Sequence, residues 1–149
     1  MPAPIVSYYN RTTGNFKPGE KIMVEKKRIL LVDDEEDYCY FMLRNLEAGG
    51  EFSVITTHEG QEGINLARKE HPDLILLDIV LPGISGTDVA SVLLNDPQTK
   101  RIPIIFLTAV VTQRELGVKA VKEIGGNNFI AKTAQTEEVI EAIKKLLHV

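Results

Sequence analysis

The sequence predicts an α/β fold, a five-stranded parallel sheet in the order 2-1-3-4-5 with helices on both faces. Three observations predict it. From Lys27 onward, short aliphatic runs alternate with amphipathic segments, and that alternation calls for a mostly parallel sheet covered on both sides. The runs are apolar at consecutive positions, as strands buried on both faces are. Each run stops at a turn or an acidic signal, most sharply in Leu74-Ile75-Leu76-Leu77-Asp78-Ile79-Val80-Leu81-Pro82-Gly83, where an aliphatic stretch meets a carboxylate. Right-handed crossovers then leave few topologies.

Arg28-Ile29-Leu30-Leu31-Val32 reads as the first strand, cut off by Asp33-Asp34-Glu35-Glu36-Asp37. Phe41, Met42 and Leu46, with Leu43 nearby, give the first helix a stripe that ends at Gly49-Gly50, a helix stop. Phe52 to Thr56 is the second strand, and Ile64, Leu66 and Ala67 lie on a helix that must end near His71-Pro72, because the residue before a proline avoids the helical region. Leu74 to Leu77 is the third strand. Val89, Val92 and Leu93 mark a short helix that stops before Asp96-Pro97. Ile102 to Leu107 is the fourth strand, with Pro103 tolerable near its beginning. A helix from Thr112 to Ile124 ends at Gly125-Gly126, a brief strand runs from Asn128 to Ala131, and Glu137 to Leu147 is the last helix. Among doubly wound sheets this is the flavodoxin-like arrangement.

The chain has 149 residues, about one domain by length and enough to bury a core. Residues 1–25 hold three of the seven prolines and little periodicity, so they are expected to be an N-terminal extension or linker, with the domain proper at 26–149. Hydrophobic content of 44% with 26% charged residues is that of a soluble globular protein. A net charge of −4 without clustered Lys and Arg gives no nucleic-acid surface. One cysteine, Cys39, cannot form an internal disulfide, and neither a membrane span nor a signal peptide is visible, so cytoplasmic residence is expected.

In the order 2-1-3-4-5 the first and third strands are neighbours, and the loops at the carboxyl ends of strands are where ligands collect. Asp33, Asp34 and Asp78 therefore converge. Three carboxylates within a few ångströms repel one another unless a cation sits among them, and the hard, oxygen-seeking ion that suits such a set is Mg²⁺, with Mn²⁺ as the substitute. Asp34 and Asp78 are the expected direct ligands and the backbone carbonyl of Val80 a third. Asp33 is a further ligand or the partner of a bound water. Acidic residues at a helix start also serve as dipole-stabilising caps, but capping leaves their convergence with Asp78 unexplained. The fourth strand brings Thr108-Ala109 to the same edge, and the fifth brings Phe129 and Lys132. A carboxylate nucleophile, a cation site, a hydroxyl and an ammonium are the groups needed to hold a phosphoryl group.

At Leu31-Val32-Asp33-Asp34-Glu35, Pro72 to Gly83, Ile102 to Ala109 and Phe129-Ile130-Ala131-Lys132, in that order, the sequence resembles the receiver domain of two-component response regulators, from about Arg28 to Leu147. The resemblance implies that Asp78 accepts a phosphoryl group from a histidine kinase or a histidine phosphotransfer protein, with Asp33 and Asp34 building the Mg²⁺ site. It implies that Lys132 pairs with the phosphoryl oxygens, that Thr108 moves to hydrogen-bond them, and that Phe129 rotates inward with Thr108. Ala109 is small, as close approach to the phosphoryl group requires. The face formed by the helix from Thr112, the fifth strand and the last helix would signal to a downstream partner or output domain, a homodimer among the options. The implied role is that of a signalling phosphoacceptor that assists its own phosphorylation and dephosphorylation, with no nucleic acid or membrane bound directly.

Two departures stand out. Thr133 follows Lys132 where the family usually has proline, often after a cis bond, and Phe129 replaces the commoner tyrosine. They favour the alternative reading, a receiver-like interaction module that binds partners without phosphorylation; the intact Asp33, Asp34, Asp78, Thr108 and Lys132 count against it. A haloacid-dehalogenase-type phosphohydrolase needs a second Asp where this chain has Val80, and no glycine-rich turn follows the first strand to cradle a dinucleotide. Val80 and Val110, two residues beyond Asp78 and Thr108, are apolar and cannot orient an attacking water, so a long-lived aspartyl-phosphate is expected.

Overall fold

Aliphatic side chains at successive positions point to opposite faces of a strand, so the central strands here must be covered twice. In the computed structural model, which describes residues 25–109, the backbone of 121–124, and 127–149, they are. The strands are β1 (Lys27–Val32), β2 (Phe52–Thr57), β3 (Leu74–Asp78), β4 (Ile104–Thr108), β5 (Val121–Ile124) and β6 (Asn127–Ala131). They form one sheet in the order β2-β1-β3-β4-β6-β5. The first five in that order are parallel, which is the expected 2-1-3-4-5 arrangement with β6 as its fifth member.

Four helices complete the described residues: α1 (Glu36–Glu47), α2 (Gly60–Glu70), α3 (Gly86–Leu94) and α4 (Thr136–Leu147). Ile29, Leu31, Leu74, Leu76, Ile105, Leu107 and Ile130 pack with α1 and α4 on one face. Leu30, Val32, Ile75, Leu77 and Phe106 pack with α2 and α3 on the other. All five residues of β3 are buried, and each aliphatic side chain so enclosed contributes about 1.5–3 kcal/mol. Helix α2 can lie close to β1 because Gly63 has no side chain; a Cβ there would stand 2.8 Å from Val32 Cγ2.

The structure corrects three expectations. Val121–Ile124, expected as the end of a helix, is an edge strand antiparallel to β6. Val-Lys-Glu-Ile carries its apolar residues at i and i+3, a helical spacing, so the sequence period favours the helix and the pairing with β6 overrides it. The buried stripe of α1 is Cys39, Met42 and Leu46, at helical spacing, and Phe41 is 56% exposed. β4 starts at Ile104, after Pro103, which lacks the N–H a ladder needs. The expected extension up to residue 24, and residues 112–120 of the expected helix, lie outside the described residues, as does Val110. Among the described residues no helix is long and apolar enough to cross a membrane.

Candidate functional site

Register alone brings the chemistry together. Val32 pairs with Leu77, so the next residues, Asp33 and Asp78, leave adjacent strands side by side. Asp78 pairs in turn with Leu107, and Thr108 with Ala131, after which the Lys132 N–H donates to the Thr108 carbonyl at 3.0 Å. Asp33, Asp78 and Thr108 are all buried, with Asp33 fully enclosed. The Lys132 side chain, only 8% exposed, sends Nζ to 2.8 Å from Asp33 Oδ2, 2.5 Å from Glu35 Oε1 and 3.5 Å from Asp78 Oδ2. The Lys132–Thr133 peptide is trans, as are all the described peptides. A threonine in place of proline therefore does not aim the ammonium away from the carboxylates.

The backbone holds the carboxylates from behind. Asp33 Oδ1 accepts the Glu35 N–H at 2.9 Å, and Asp78 Oδ1 accepts the Val80 N–H at 3.1 Å. Each fixes one carboxylate oxygen and leaves Oδ2 for the Lys132 side. The Asp33 carbonyl, meanwhile, accepts from the Cys39 thiol at 3.3 Å and lies 3.0 Å from His58 Nδ1. A carbonyl only accepts, so Nδ1 carries the proton.

One loop and one aromatic pair flank these strand ends. The loop after β3 turns through Gly83, whose φ of +77° favours glycine. It then brings the start of α3 back against the end of β3: the Gly86 N–H donates to the Ile79 carbonyl at 2.9 Å, and a Cβ on Gly86 would stand 2.0 Å from the Asp78 carbonyl oxygen. On the far side Phe129 is half-buried and stacks on Phe106, its register partner, with ring centroids 5.3 Å apart. Ala109 is exposed at the end of β4, and the Val80 side chain is 69% exposed.

Burial raises the Asp33 carboxyl above the ordinary carboxylate value; the Lys132 ammonium pulls against that rise and Asp78 adds to it. Burial works against the charge on Lys132, but the bonds to Asp33 and Glu35 prevail and hold its pKa above the usual lysine range. Oxygens of Asp33, Glu35 and Asp78 all lie within 4.8 Å of one another. Three carboxylates share one ammonium, and buried Asp33 Oδ2 has no well-aligned hydrogen bond despite its ion pair. An all-oxygen set with surplus negative charge and an orphaned oxygen fits a hard divalent cation.

The Lys132 ammonium lies within 3.5 Å of both Asp33 and Asp78, and Thr108 ends the neighbouring strand β4. Asp34 is exposed and outside the acidic cluster, and Glu35 stands in it instead. Glu35 had a sequence signal, directly following the acidic pair. Tyr38, whose ring faces Lys132 Nζ at 4.6 Å, had none, since helical winding alone brings it there.

The profile of the response regulator receiver domain family matches residues 29–144. The polar-differentiation response regulator DivK of Brucella ovis is 35% identical over 121 residues, covering 81% of this chain and 96% of its own length. Among solved structures, a response regulator from Desulfuromonas acetoxidans superposes with a TM-score of 0.67 at 32% identity, covering 82% of this chain and 97% of that one. The receiver domain of the sensor histidine kinase PA1611 from Pseudomonas aeruginosa, which has a magnesium ion coordinated in its active-site cleft, gives 0.69 at 25% identity, covering 83% and 99%. With its strand order, its acidic strand ends and its lysine accounted for in the same span, the chain belongs to the response regulator receiver domain family.

Proposed function

We propose that this receiver domain takes a phosphoryl group onto Asp78 from the phosphohistidine of a sensor histidine kinase or a histidine phosphotransfer protein. The observation that carries the reading is a buried carboxylate, Asp78, whose Oδ2 lies 3.5 Å from a buried ammonium and beside a second buried carboxylate, Asp33. A carboxylate oxygen of Asp78 attacks phosphorus, the P–O bond forms as the P–N bond breaks, and the histidine nitrogen keeps the electron pair. A carboxylate oxygen is itself the nucleophile in this step, so no separate general base is called for. Lys132 meets the phosphoryl oxygens as charge builds on them. The Thr108 hydroxyl, one strand away, donates to the same oxygens, and Phe129 follows it.

Asp33 and Asp78 would hold Mg²⁺ or Mn²⁺, with the Val80 carbonyl and either Asp34 or Glu35 completing the set. The ion supplies positive charge at the phosphoryl oxygens. The chain then signals in the cytoplasm by biasing two packings of one fold, read by a downstream protein or output domain at the face formed by β6 and α4. Residues 1–25 serve as an extension to the domain.

Incubating the chain with phosphoramidate or a phosphorylated histidine donor, with Mg²⁺ and with EDTA, tests this by intact mass. Wild type should gain one phosphoryl group only with Mg²⁺, and Asp78→Asn none. Equal labelling of Asp78→Asn would overturn the assignment. The departures at Thr133 and Phe129 favour a second reading in which the switch face is set without phosphorylation; an unlabelled wild type that still binds its partner would establish it.

A further inference from the structure

Lys132 carries its charge on a four-carbon stem with free rotors, and something must keep the ammonium in one place while the groups around it change partners. Three carboxylates hold it. A divalent cation would compete with the ammonium for those carboxylates, and phosphoryl oxygens would compete with the carboxylates for the ammonium, so the ion pairs cannot be what holds Nζ throughout. One contact does not depend on the carboxylates: the face of the Tyr38 ring, 4.6 Å from Nζ. Tyr38 lies in the first turn of α1 and packs against the core cluster shared by α1 and α4, which leaves its ring little freedom. Its hydroxyl is buried without a hydrogen-bond partner, so the ring and not the polar handle makes the contact that matters.

We infer that Tyr38 is a positioning residue: its ring face holds the Lys132 ammonium between Asp33 and Asp78 in the place from which it meets the incoming phosphoryl oxygens. The inference rests on the phosphoacceptor reading for its purpose, and on geometry alone for the contact. A cation over a desolvated aromatic face is stabilised by about 0.5–2 kcal/mol, or about 2- to 30-fold in rate if the contact persists in the transition state.

The test uses the full chain and two readouts. In EDTA, without phosphodonor, the Lys132 ε-methylene protons should show an upfield ring-current shift by NMR. Tyr38→Phe should keep that shift and the wild-type rate of Mg²⁺-dependent labelling by phosphoramidate. Tyr38→Leu should lose the shift and label about 2- to 30-fold more slowly, and in a Lys132→Ala background it should slow labelling no further. Tyr38→Met serves in its place if circular dichroism shows the leucine variant unfolded. A Tyr38→Leu protein that labels at the wild-type rate overturns the proposal. So does a ring shift that survives the loss of the ring, or a Tyr38→Phe protein as slow as Tyr38→Leu. An unlabelled wild type with the ring shift intact is a different pattern, and it overturns the phosphoacceptor reading on which the proposed role rests.

Discussion

Asp33 is anchored at its carbonyl by Cys39 and His58 and at its side chain by Glu35 and Lys132, so a small set of residues behind the pocket governs where one carboxylate points. Cys39 belongs to this set as a buried donor rather than a nucleophile. Burial, with Asp33 close by, pushes its thiol from the ordinary 9.0 up to about 12. The native state therefore keeps its proton where the unfolded chain has lost it. This contribution to stability is complete below about pH 9 and is lost as pH rises toward about 12. Labelling of Cys39 by a thiol reagent at pH 8 should consequently follow the rate of unfolding and speed up sharply in urea. Tyr38 offers a second check at this scale. Its unpartnered buried hydroxyl costs stability, so Tyr38→Phe should raise the unfolding free energy by about 1 kcal/mol in urea titration. At single positions the sequence was most legible where a strand stops: Asp33, Asp78, Thr108 and Lys132 each end or follow an aliphatic run. Tyr38 was hidden because the first turn of a helix, and not the run of a strand, carries it to the site, whereas Glu35 could be found from its place directly after the acidic pair.

Between β3 and α3 the chain must turn, pass the site and come back onto the sheet within seven residues, 79–85. Gly86 makes this return feasible. A methyl group there would meet the Asp78 carbonyl at 2.0 Å, a contact with backbone that cannot rotate away. Gly86→Ala should therefore lower stability by about 3 kcal/mol and reduce Asp78 labelling in whatever fraction stays folded; a native Tm and native labelling would contradict the packing described. Val80, on the same loop, is 69% exposed and apolar. Val80→Asn should shorten the lifetime of the aspartyl-phosphate, followed by release of inorganic phosphate, because an amide at that position can orient water and an isopropyl group cannot. The five parallel strands were legible as elements because runs buried on both faces are continuous and aliphatic. Val121–Ile124 was not: with apolar residues at its two ends, three apart, it reads as helix by period, and sheet pairing with β6 overrides that local pattern.

Across the whole domain, the sheet is the device that assembles the site. Four strands end at one edge, and each delivers a residue that its own helix could not place: Asp33 from β1, Asp78 from β3, Thr108 from β4 and Lys132 beyond β6. The helices divide the remaining work. Those on one face, α1 and α4, pack around the Cys39 and Tyr38 side of the pocket, and those on the other, α2 and α3, support Phe106 and, through it, Phe129. The most direct measurement of the central claim is the chemical position of the phosphoryl group itself. After Mg²⁺-dependent labelling, borohydride reduction converts an aspartyl-phosphate to homoserine, and tandem mass spectrometry of the peptide spanning β3 reads where the conversion lies. Homoserine at position 78 alone is the expected result. Homoserine at Asp33 or Asp34 with position 78 unchanged, or a phosphoryl group on Thr108 that resists borohydride, would contradict it.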